Sequence, residues 1–375
     1  MRFRERILGR FWRKTARTAA TAAIAASLLT TQTALACTSF LIRTTDDSAV
    51  YARTMEFAMP MESSAMVIPR GFTLTSTGPD NTPAMTWTSK YGAVGLNAMG
   101  ITALVDGMNE KGLTGGILYF PGFAGYADPA KSDPAKSLAP WDVLTWALTS
   151  FATVAEVKAA LSEIAIVEVV QSDMKIVPPV HYTLHDPSGA SLVIEPMDGT
   201  LKVYDNPLGV MTNSPPFDWH QINLSNYVKI SPFNAPALEL EGQKIQPLGQ
   251  GSGLLGIPGD PTPPSRFVRA LGYSISAERK PSGIESVRLA EHVLNNFDIP
   301  RGWIREGTDK ATEQLEYTQW SAIADLKNRV YYVKTYDDQV LRSIDLMSFD
   351  LDAKQTVTAP LKPAAAAPAL EFPKP

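Results

Sequence analysis

The chain contains a single cysteine, Cys37, which directly follows the segment Ala34-Leu35-Ala36. Small residues at the first and third positions of such a segment are typical of a leader-peptidase cleavage site. A cut after Ala36 would make Cys37 the first residue of the mature chain, with a free α-amino group beside its thiol. An α-amine with a pKa of roughly 7.7–8.0 can accept the thiol proton near neutral pH. The arrangement predicts a nucleophile and base within one residue, with no need for a histidine.

Residues 1–36 have the composition of a bacterial export signal. An alanine-rich apolar run at 18–29 is followed by a short polar stretch at 30–33. The run is shorter than the roughly 20 residues that span a bilayer, so we expect no stable membrane anchor. The predicted location is periplasmic or secreted. The residues before the run include one acid, Glu5, and the basic residues Arg2, Arg4, Arg6, Arg10, Arg13, Lys14 and Arg17.

Two other interpretations of Cys37 are open. Bacterial lipoproteins also begin at a cysteine after a signal, which would make the chain a periplasmic lipoprotein or binding protein anchored through Cys37. Such signals normally have leucine three residues before the cysteine and a small residue two before, whereas this chain has Ala34 and Leu35 there. A lone cysteine can also be an inert buried residue, but that does not explain why it adjoins a cleavage site.

The charge balance argues against polyanionic partners. The whole chain has 34 basic and 38 acidic residues, and seven of the former and one of the latter lie within residues 1–36, which leaves a net charge of −10. Nucleic acid and anionic membrane surfaces are therefore poor partners. A single cysteine also excludes an internal disulfide.

The pattern of the remaining chain predicts an α+β domain over residues 37–352 with stacked antiparallel sheets, because helices cluster between blocks of strands. From residue 353 to 375 the chain is rich in proline and alanine, and we expect a disordered tail. The predicted strands are 38–43, 49–53, 64–68, 85–88, 93–96, 102–105, 113–120, 180–184, 191–195, 201–205, 319–325, 329–335 and 343–345, and the predicted helices are 140–151, 154–164, 265–276 and 283–296.

Five short motifs carry a resemblance to a known family. In order and spacing they resemble the choloylglycine hydrolases, which include penicillin V acylases and bile salt hydrolases. The resemblance implies a four-layer αββα sandwich of the N-terminal nucleophile hydrolase type, and no cofactor or metal. The motifs are Cys-Thr-Ser-Phe at 37–40, Arg-Thr-Met-Glu-Phe at 53–57, Asn-Glu-Lys-Gly-Leu at 109–113 running to Tyr-Phe-Pro-Gly at 119–122, Val-Met-Thr-Asn-Ser-Pro at 210–215, and Gly-Ile-Pro-Gly-Asp at 256–260 leading to Ser-Arg-Phe-Val-Arg at 265–269.

The resemblance assigns roles to individual positions. Cys37 would attack an amide carbonyl and form a thioester, and Arg53 would lie beside the sulfur and favour the thiolate. Glu56 stands where the family usually has aspartate, and a carboxylate there can hold the α-ammonium. It is also consistent with an ordinary surface glutamate. Arg266 matches the second arginine of the family's active site.

Two groups are expected to stabilise the oxyanion of the transition state. The resemblance implies that Asn213 offers its side-chain amide and Tyr119 its backbone N–H. From the residues alone, Asn213 before Ser-Pro is equally typical of a turn, and a catalytic asparagine can lie in a turn.

The same family pattern suggests the substrate, a small-molecule N-acyl amide. Tyr119 stands where penicillin V acylases usually have tyrosine and bile salt hydrolases asparagine, so we expect a slim apolar acyl group, as in penicillin V or an N-acyl homoserine lactone. Bile salt hydrolysis is the alternative, and transfer of the acyl group to an acceptor other than water is open. Trp87 and Phe57 join Tyr119 as candidate substrate contacts. Family members are often tetramers, which makes a homotetramer possible.

Two further patterns are discounted. Residues 251–256 fit G-x-G-x-x-G, but no clear strand precedes them and prolines follow, so a loop is expected there instead of a nucleotide site. His181 and His185 are four residues apart on a predicted strand without an accompanying acidic cluster, and we interpret them as structural.

Overall fold

This computed structural model describes residues 37–361 and 369–372. The export signal and cleavage site predicted in residues 1–36 lie outside the described residues, as do 362–368 and 373–375 of the predicted tail. No helix within the described ranges is long and apolar enough to span a bilayer.

Strands dominate the described chain, and five α-helices accompany them. The strands are β1 (Cys37–Arg43), β2 (Ala49–Phe57), β3 (Ser64–Ile68), β4 (Thr73–Thr77), β5 (Pro83–Thr88), β6 (Ala93–Asn97), β7 (Leu104–Asn109), β8 (Thr114–Tyr119), β9 (Ser137–Leu138), β10 (Ala165–Ile166), β11 (Val180–His185), β12 (Ser191–Met197), β13 (Thr200–Asp205), β14 (Leu238–Leu240), β15 (Gln243–Ile245), β16 (Ile304–Glu306), β17 (Gln314–Asp325), β18 (Val330–Thr335), β19 (Arg342–Asp345) and β20 (Val357–Pro360). The helices are α1 (Val143–Ser150), α2 (Val154–Ala160), α3 (Phe217–Asn223), α4 (Pro263–Ser276) and α5 (Ile284–Leu294).

Two antiparallel sheets form the centre of the molecule. Sheet A has the order β1-β2-β17-β18-β19, with β16 paired to β17, and sheet B has the order β13-β12-β11-β8-β7-β6-β3-β20. Helices α4 and α5 pack on sheet A, and α1 and α2 pack on sheet B, while β1 and β2 contact β8. The layers are therefore α, β, β and α, the four-layer α+β sandwich that the family resemblance implied.

The central strand β2 shows how this layering places side chains. All nine of its residues are buried, because sheet B covers one face of sheet A and helices cover the other. Side chains alternate between the two faces of a strand. Arg53, Met55 and Phe57 therefore point towards sheet B, whereas Thr54 and Glu56 point towards the helical side.

The end of the chain differs from the expected tail. Instead of leaving the domain at residue 352, the chain returns and Val357–Pro360 forms β20, which pairs antiparallel with β3. This strand covers an edge of sheet B that would otherwise expose unpaired backbone groups. Val357 and Thr358 favour strand structure, and Pro360 is tolerated because it is the last residue of an edge strand. The proline and alanine content of residues 353–375 did not predict this four-residue strand.

Candidate active site

Cys37 begins β1 at the interface between the two sheets. Its side chain is 2% exposed, and it pairs across the sheet with Met55 of β2. The sulfur lies 3.5 Å from Nη2 of Arg53 and 3.8 Å from Sδ of Met55. The cation that the family pattern placed beside the sulfur thus lies within contact distance of it.

Arg53 is held in place by fixed partners and is fully buried. Its Nη1 donates to the carbonyl of Val105 (2.7 Å) and lies 3.4 Å from Oδ2 of Asp106, while Nη2 donates to the carbonyl of Ile117. Burial by itself would lower the pKa of Arg53, but the negative charges at Cys37 and Asp106 outweigh it and raise that pKa. The guanidinium is a permanent cation, so it stabilises negative charge on the sulfur.

Asp106 is a buried acid of this site that sequence analysis missed. Its Oδ2 accepts a hydrogen bond from Tyr51 Oη (2.8 Å), and its Oδ1 accepts one from Tyr331 Oη (2.6 Å). Burial raises the pKa of Asp106, and the charge of Arg53 opposes that shift. A single acid inside the apolar strand β7 was the available signal, because buried carboxylates need partners.

Asn213 links the nucleophile to two other predicted site residues. Its Oδ1 accepts hydrogen bonds from the backbone nitrogen of Cys37 (2.7 Å) and from Nη2 of Arg266 (2.7 Å). Its Nδ2 donates to the carbonyl of Tyr119 (2.8 Å). An amide nitrogen carries two protons, so these contacts leave one for a substrate oxygen.

The loop that carries Asn213 is braced by buried histidines. His220 Nε2 lies 2.9 Å from the Asn213 carbonyl and His181 Nε2 lies 3.0 Å from the Thr212 carbonyl; since a carbonyl only accepts, both nitrogens are donors. His181 Nδ1 faces Oε1 of Glu195 at 3.2 Å, and burial lowers the pKa of His220 to about 4. Both histidines therefore hold the backbone beside Asn213 and support the predicted site.

Arg266 lies on the opposite side of β1 from the sulfur. It extends from α4, and its Nη1 donates to Oγ1 of Thr38 (2.8 Å) and to the carbonyl of Cys37. Burial lowers the pKa of Arg266. Its contacts hold the backbone of Cys37 and the Oδ1 atom of Asn213 in place. Arg266 is therefore a positioning residue.

Glu56 is also buried on the helical side of sheet A. Its Oε1 accepts a hydrogen bond from Oγ1 of Thr318 (2.7 Å), and burial raises its pKa to about 8. The nitrogen of Cys37 donates to Asn213 Oδ1, and Glu56 accepts its hydrogen bond from Thr318. The surface interpretation of Glu56 is therefore wrong, and its contact with an α-ammonium stays a prediction.

The sulfur opens onto an apolar cleft, which we call the acyl cleft. Tyr119 and Phe57 form one wall, with their rings edge to face at 5.8 Å and 89°. Methionines contribute four side chains, which are flexible and can adapt to a ligand's shape. The acyl cleft is lined by Cys37, Met55, Phe57, Met61, Ala98, Met99, Ile101, Val105, Ile117, Leu118, Tyr119, Trp141, Gln171, Met174, Pro178 and Val180.

Trp87 does not line the acyl cleft, and a substrate contact at this position stays a prediction. It lies on β5, which pairs only with β4, and its Nε1 donates to Oγ1 of Thr149 on α1 (2.9 Å). The ribbon of β4 and β5 turns this indole towards the helix. Trp141, which lies just before α1, lines the cleft instead.

Across residues 37–361 and 369–372, no group of three or more His, Cys, Asp and Glu side chains could hold a metal ion. His185, the second histidine of the discounted pair, hydrogen bonds to Ser191 Oγ (2.7 Å) and Thr183 Oγ1 (3.0 Å). It is fully engaged by neighbouring hydroxyl groups.

Comparison with known proteins identifies the family of this chain. The family model of linear amide C–N hydrolases, choloylglycine hydrolase family, matches residues 37–359. A bile salt hydrolase/transferase from Clostridium perfringens is 34% identical over 326 residues, which cover 86% of this chain and 96% of that protein.

Solved structures support the same assignment. The conjugated bile acid hydrolase from Clostridium perfringens has a TM-score of 0.78 at 30% identity, covering 89% of this chain and 100% of that chain. A penicillin V acylase from Agrobacterium tumefaciens has a TM-score of 0.69 at 25% identity, covering 86% and 90%. Both chains are matched over nearly their whole length. This protein therefore belongs to the choloylglycine hydrolase family and is a hydrolase of linear amide C–N bonds.

Proposed function

We propose that this protein hydrolyses amides between a bulky apolar acyl group and a small amine, and that conjugated bile salts are its preferred substrates. The observation that carries the proposal is the acyl cleft, which adjoins the sulfur of Cys37 and is apolar along almost all of its lining.

The relatives support bile salts over the substrates expected from Tyr119. A 34% identical relative is described as a bile salt hydrolase/transferase, whereas the penicillin V acylase of Pectobacterium atrosepticum is 26% identical. The expectation from one residue therefore carries less weight than similarity over most of the chain.

In the proposed reaction, the Cys37 sulfur bonds to the amide carbon while its proton passes to the α-amine. The tetrahedral intermediate then collapses, the C–N bond breaks, and the leaving amine takes that proton. Water attacks the thioester, loses a proton to the α-amine, and the C–S bond breaks to give the carboxylic acid and the thiol. The α-amine exists only after residues 1–36 are removed, so this cleavage stays part of the proposal.

The contacts around Asn213 support its proposed oxyanion role. Arg266 and the Cys37 nitrogen hold Oδ1, and the Tyr119 carbonyl holds one Nδ2 proton. The amide plane is therefore fixed before substrate binds, and preorganised donors are the effective ones. The backbone N–H of Tyr119 remains the predicted second donor.

Penicillin V is a second candidate, which a different observation favours. The edge-to-face pair of Tyr119 and Phe57 lies in the acyl cleft and can accept the flat ring of a phenoxyacetyl group. An N-acyl homoserine lactone would use the same apolar surface with a flexible chain.

Parallel kinetics on the mature enzyme test the proposal. Glycodeoxycholate, penicillin V and decanoyl homoserine lactone are compared by kcat/KM, with Cys37→Ala as the inactive control. We expect the highest value for the bile salt. A higher value for either of the other two would reject bile salts as the preferred class.

The state of the N-terminus is tested separately by intact mass. We expect export and a free Cys37, whereas a diacylglyceryl adduct would support the lipoprotein alternative. A homotetramer also stays a prediction, and light scattering on the mature protein measures it.

A further inference from the structure

A second pocket adjoins the acyl cleft. The two share Ile101, Trp141 and Gln171, so these residues mark their junction. Cys37 and Met55 line the acyl cleft but not the second pocket, and from this we infer that the second pocket joins the cleft away from the nucleophile. We call it the polar annex, and its remaining lining residues are Thr75, Thr77, Asn81, Thr102, Ala103, Asp142, Val170 and Ser172.

The polar annex differs from the acyl cleft in chemistry. Its lining has four hydroxyl groups, two amides and one carboxylate, and it has none of the methionines of the cleft. The carboxylate is Asp142, whose Oδ2 accepts hydrogen bonds from Ser76 Oγ (2.8 Å) and from the backbone nitrogen of Thr77 (3.2 Å). These bonds fix the acid at the wall of the annex.

The charge of the lining selects the kind of group that fits. No lysine or arginine lines this pocket in the described chain, and Asp142 would repel an anion. Hydroxyl and amide side chains can donate to and accept from a neutral polar group. A hydroxyl group meets these conditions and a carboxylate does not.

We propose that the polar annex binds a hydroxyl group at the far end of the acyl moiety, so that the enzyme prefers acyl groups hydroxylated at the end remote from the scissile amide. The inference deepens the proposed function, because it rests on the acyl group occupying the cleft. The acyl group would pass from apolar to polar surroundings at the three residues that both pockets share, Ile101, Trp141 and Gln171.

The test uses two steroid acids that differ only in a hydroxyl on the ring farthest from the carboxyl group, both as free acids and as glycine conjugates. Titration calorimetry gives Kd for the free acids, and kinetics give kcat/KM for the conjugates. One hydrogen bond contributes about 0.5–1.5 kcal/mol, so we expect a preference of about three- to tenfold for the hydroxylated member in both measurements.

The matched variants are Thr102→Val with Ser172→Ala, which remove two annex hydroxyls, and Thr73→Val, which removes an exposed hydroxyl of β4 outside the annex. The double variant should reduce the preference to near one and leave kcat/KM for the unhydroxylated conjugate unchanged. Thr73→Val should keep the wild-type preference.

The possible outcomes distinguish failure of the annex proposal from failure of the proposed function. The proposal that the annex binds a hydroxyl group would be overturned by equal affinity of the wild type for the two free acids. An unchanged preference in the double variant would overturn it as well. If the acids bind with the expected preference but their conjugates are not hydrolysed, the annex stands and bile salts are not the substrate. If neither acid binds, both assignments are wrong.

Discussion

Replacing Gly116 with alanine should lower the reactivity of Cys37, although the added methyl group does not contact Cys37. Gly116 lies on β8, beneath the buried group formed by Tyr51, Asp106 and Arg53. A Cβ there would lie 2.7 Å from Tyr51 Oη, 2.8 Å from Asp106 Oδ2 and 2.9 Å from Arg53 Nη1. To restore ordinary contact at 3.4 Å, these atoms must move by roughly 0.5–0.7 Å.

The expected size of the effect follows from how tightly these atoms are held. All three side chains are fully buried and bonded to one another, so none can move into solvent. Overpacking of this kind costs about 1–3 kcal/mol of unfolding free energy. A displacement of about 1 Å in an active site can cost on the order of a hundredfold in rate, so we expect kcat/KM to fall by about 10- to 100-fold.

Three measurements check this prediction. Urea unfolding gives the loss of stability, hydrolysis of a glycine-conjugated bile salt gives kcat/KM, and alkylation by iodoacetamide at fixed pH reports the sulfur. Alkylation is specific because Cys37 is the only cysteine. It should slow when Arg53 moves away, since less thiolate forms. Gly259→Ala is the control, because a Cβ there meets nothing within 4 Å.

Unchanged stability together with unchanged alkylation would refute the packing argument. Lower stability with normal alkylation would refute the electrostatic role of Arg53 and leave the packing argument intact.

Three more predictions test other parts of the site. A mature chain that keeps Ala36 ahead of Cys37 should be inactive, because its nitrogen remains an amide; full hydrolytic activity would contradict the α-amine as base. Asn213→Ala should lower kcat by about 100- to 1,000-fold and change KM less, as steady-state kinetics can show; a change confined to KM would exclude the oxyanion role. Burial lowers the pKa of His220 to about 4, whereas an unfolded histidine titrates near roughly 6.5. The unfolded state therefore binds the proton first, and the unfolding free energy should decrease as pH falls from about 6.5 to about 4, by up to ~3 kcal/mol. His220→Gln should make urea midpoints less dependent on pH in this window, and an unaltered dependence would show that His220 does not cause it.

Much of the fold could be predicted because its signals are local. Predicted strands such as 64–68 and helices such as 265–276 closely match β3 and α4, since periodicity reflects one buried face. Helix α3 and strand β20 were missed, because a short helix after prolines and a four-residue edge strand carry little periodic signal. Residue 102 was predicted to begin a strand that in the structure starts at Leu104.

Sequence by itself determined the chemical type of this protein. A single cysteine adjoining a predicted cleavage site, and five short motifs in family order, identified a candidate nucleophile and its neighbours Arg53, Asn213 and Arg266. These signals are residue types at fixed positions along the chain, so they need no knowledge of packing.

Only the tertiary structure decided what surrounds the nucleophile. Tyr331 and Asp106 are 225 residues apart in sequence and are joined by a hydrogen bond, which no local pattern encodes. Whether Trp87 or Trp141 lines the acyl cleft depends on which way each side chain points, and strand pairing and packing fix that direction. The junction between the acyl cleft and the polar annex likewise exists only once distant strands and loops meet, because a cavity is a property of packed surfaces and not of any one segment.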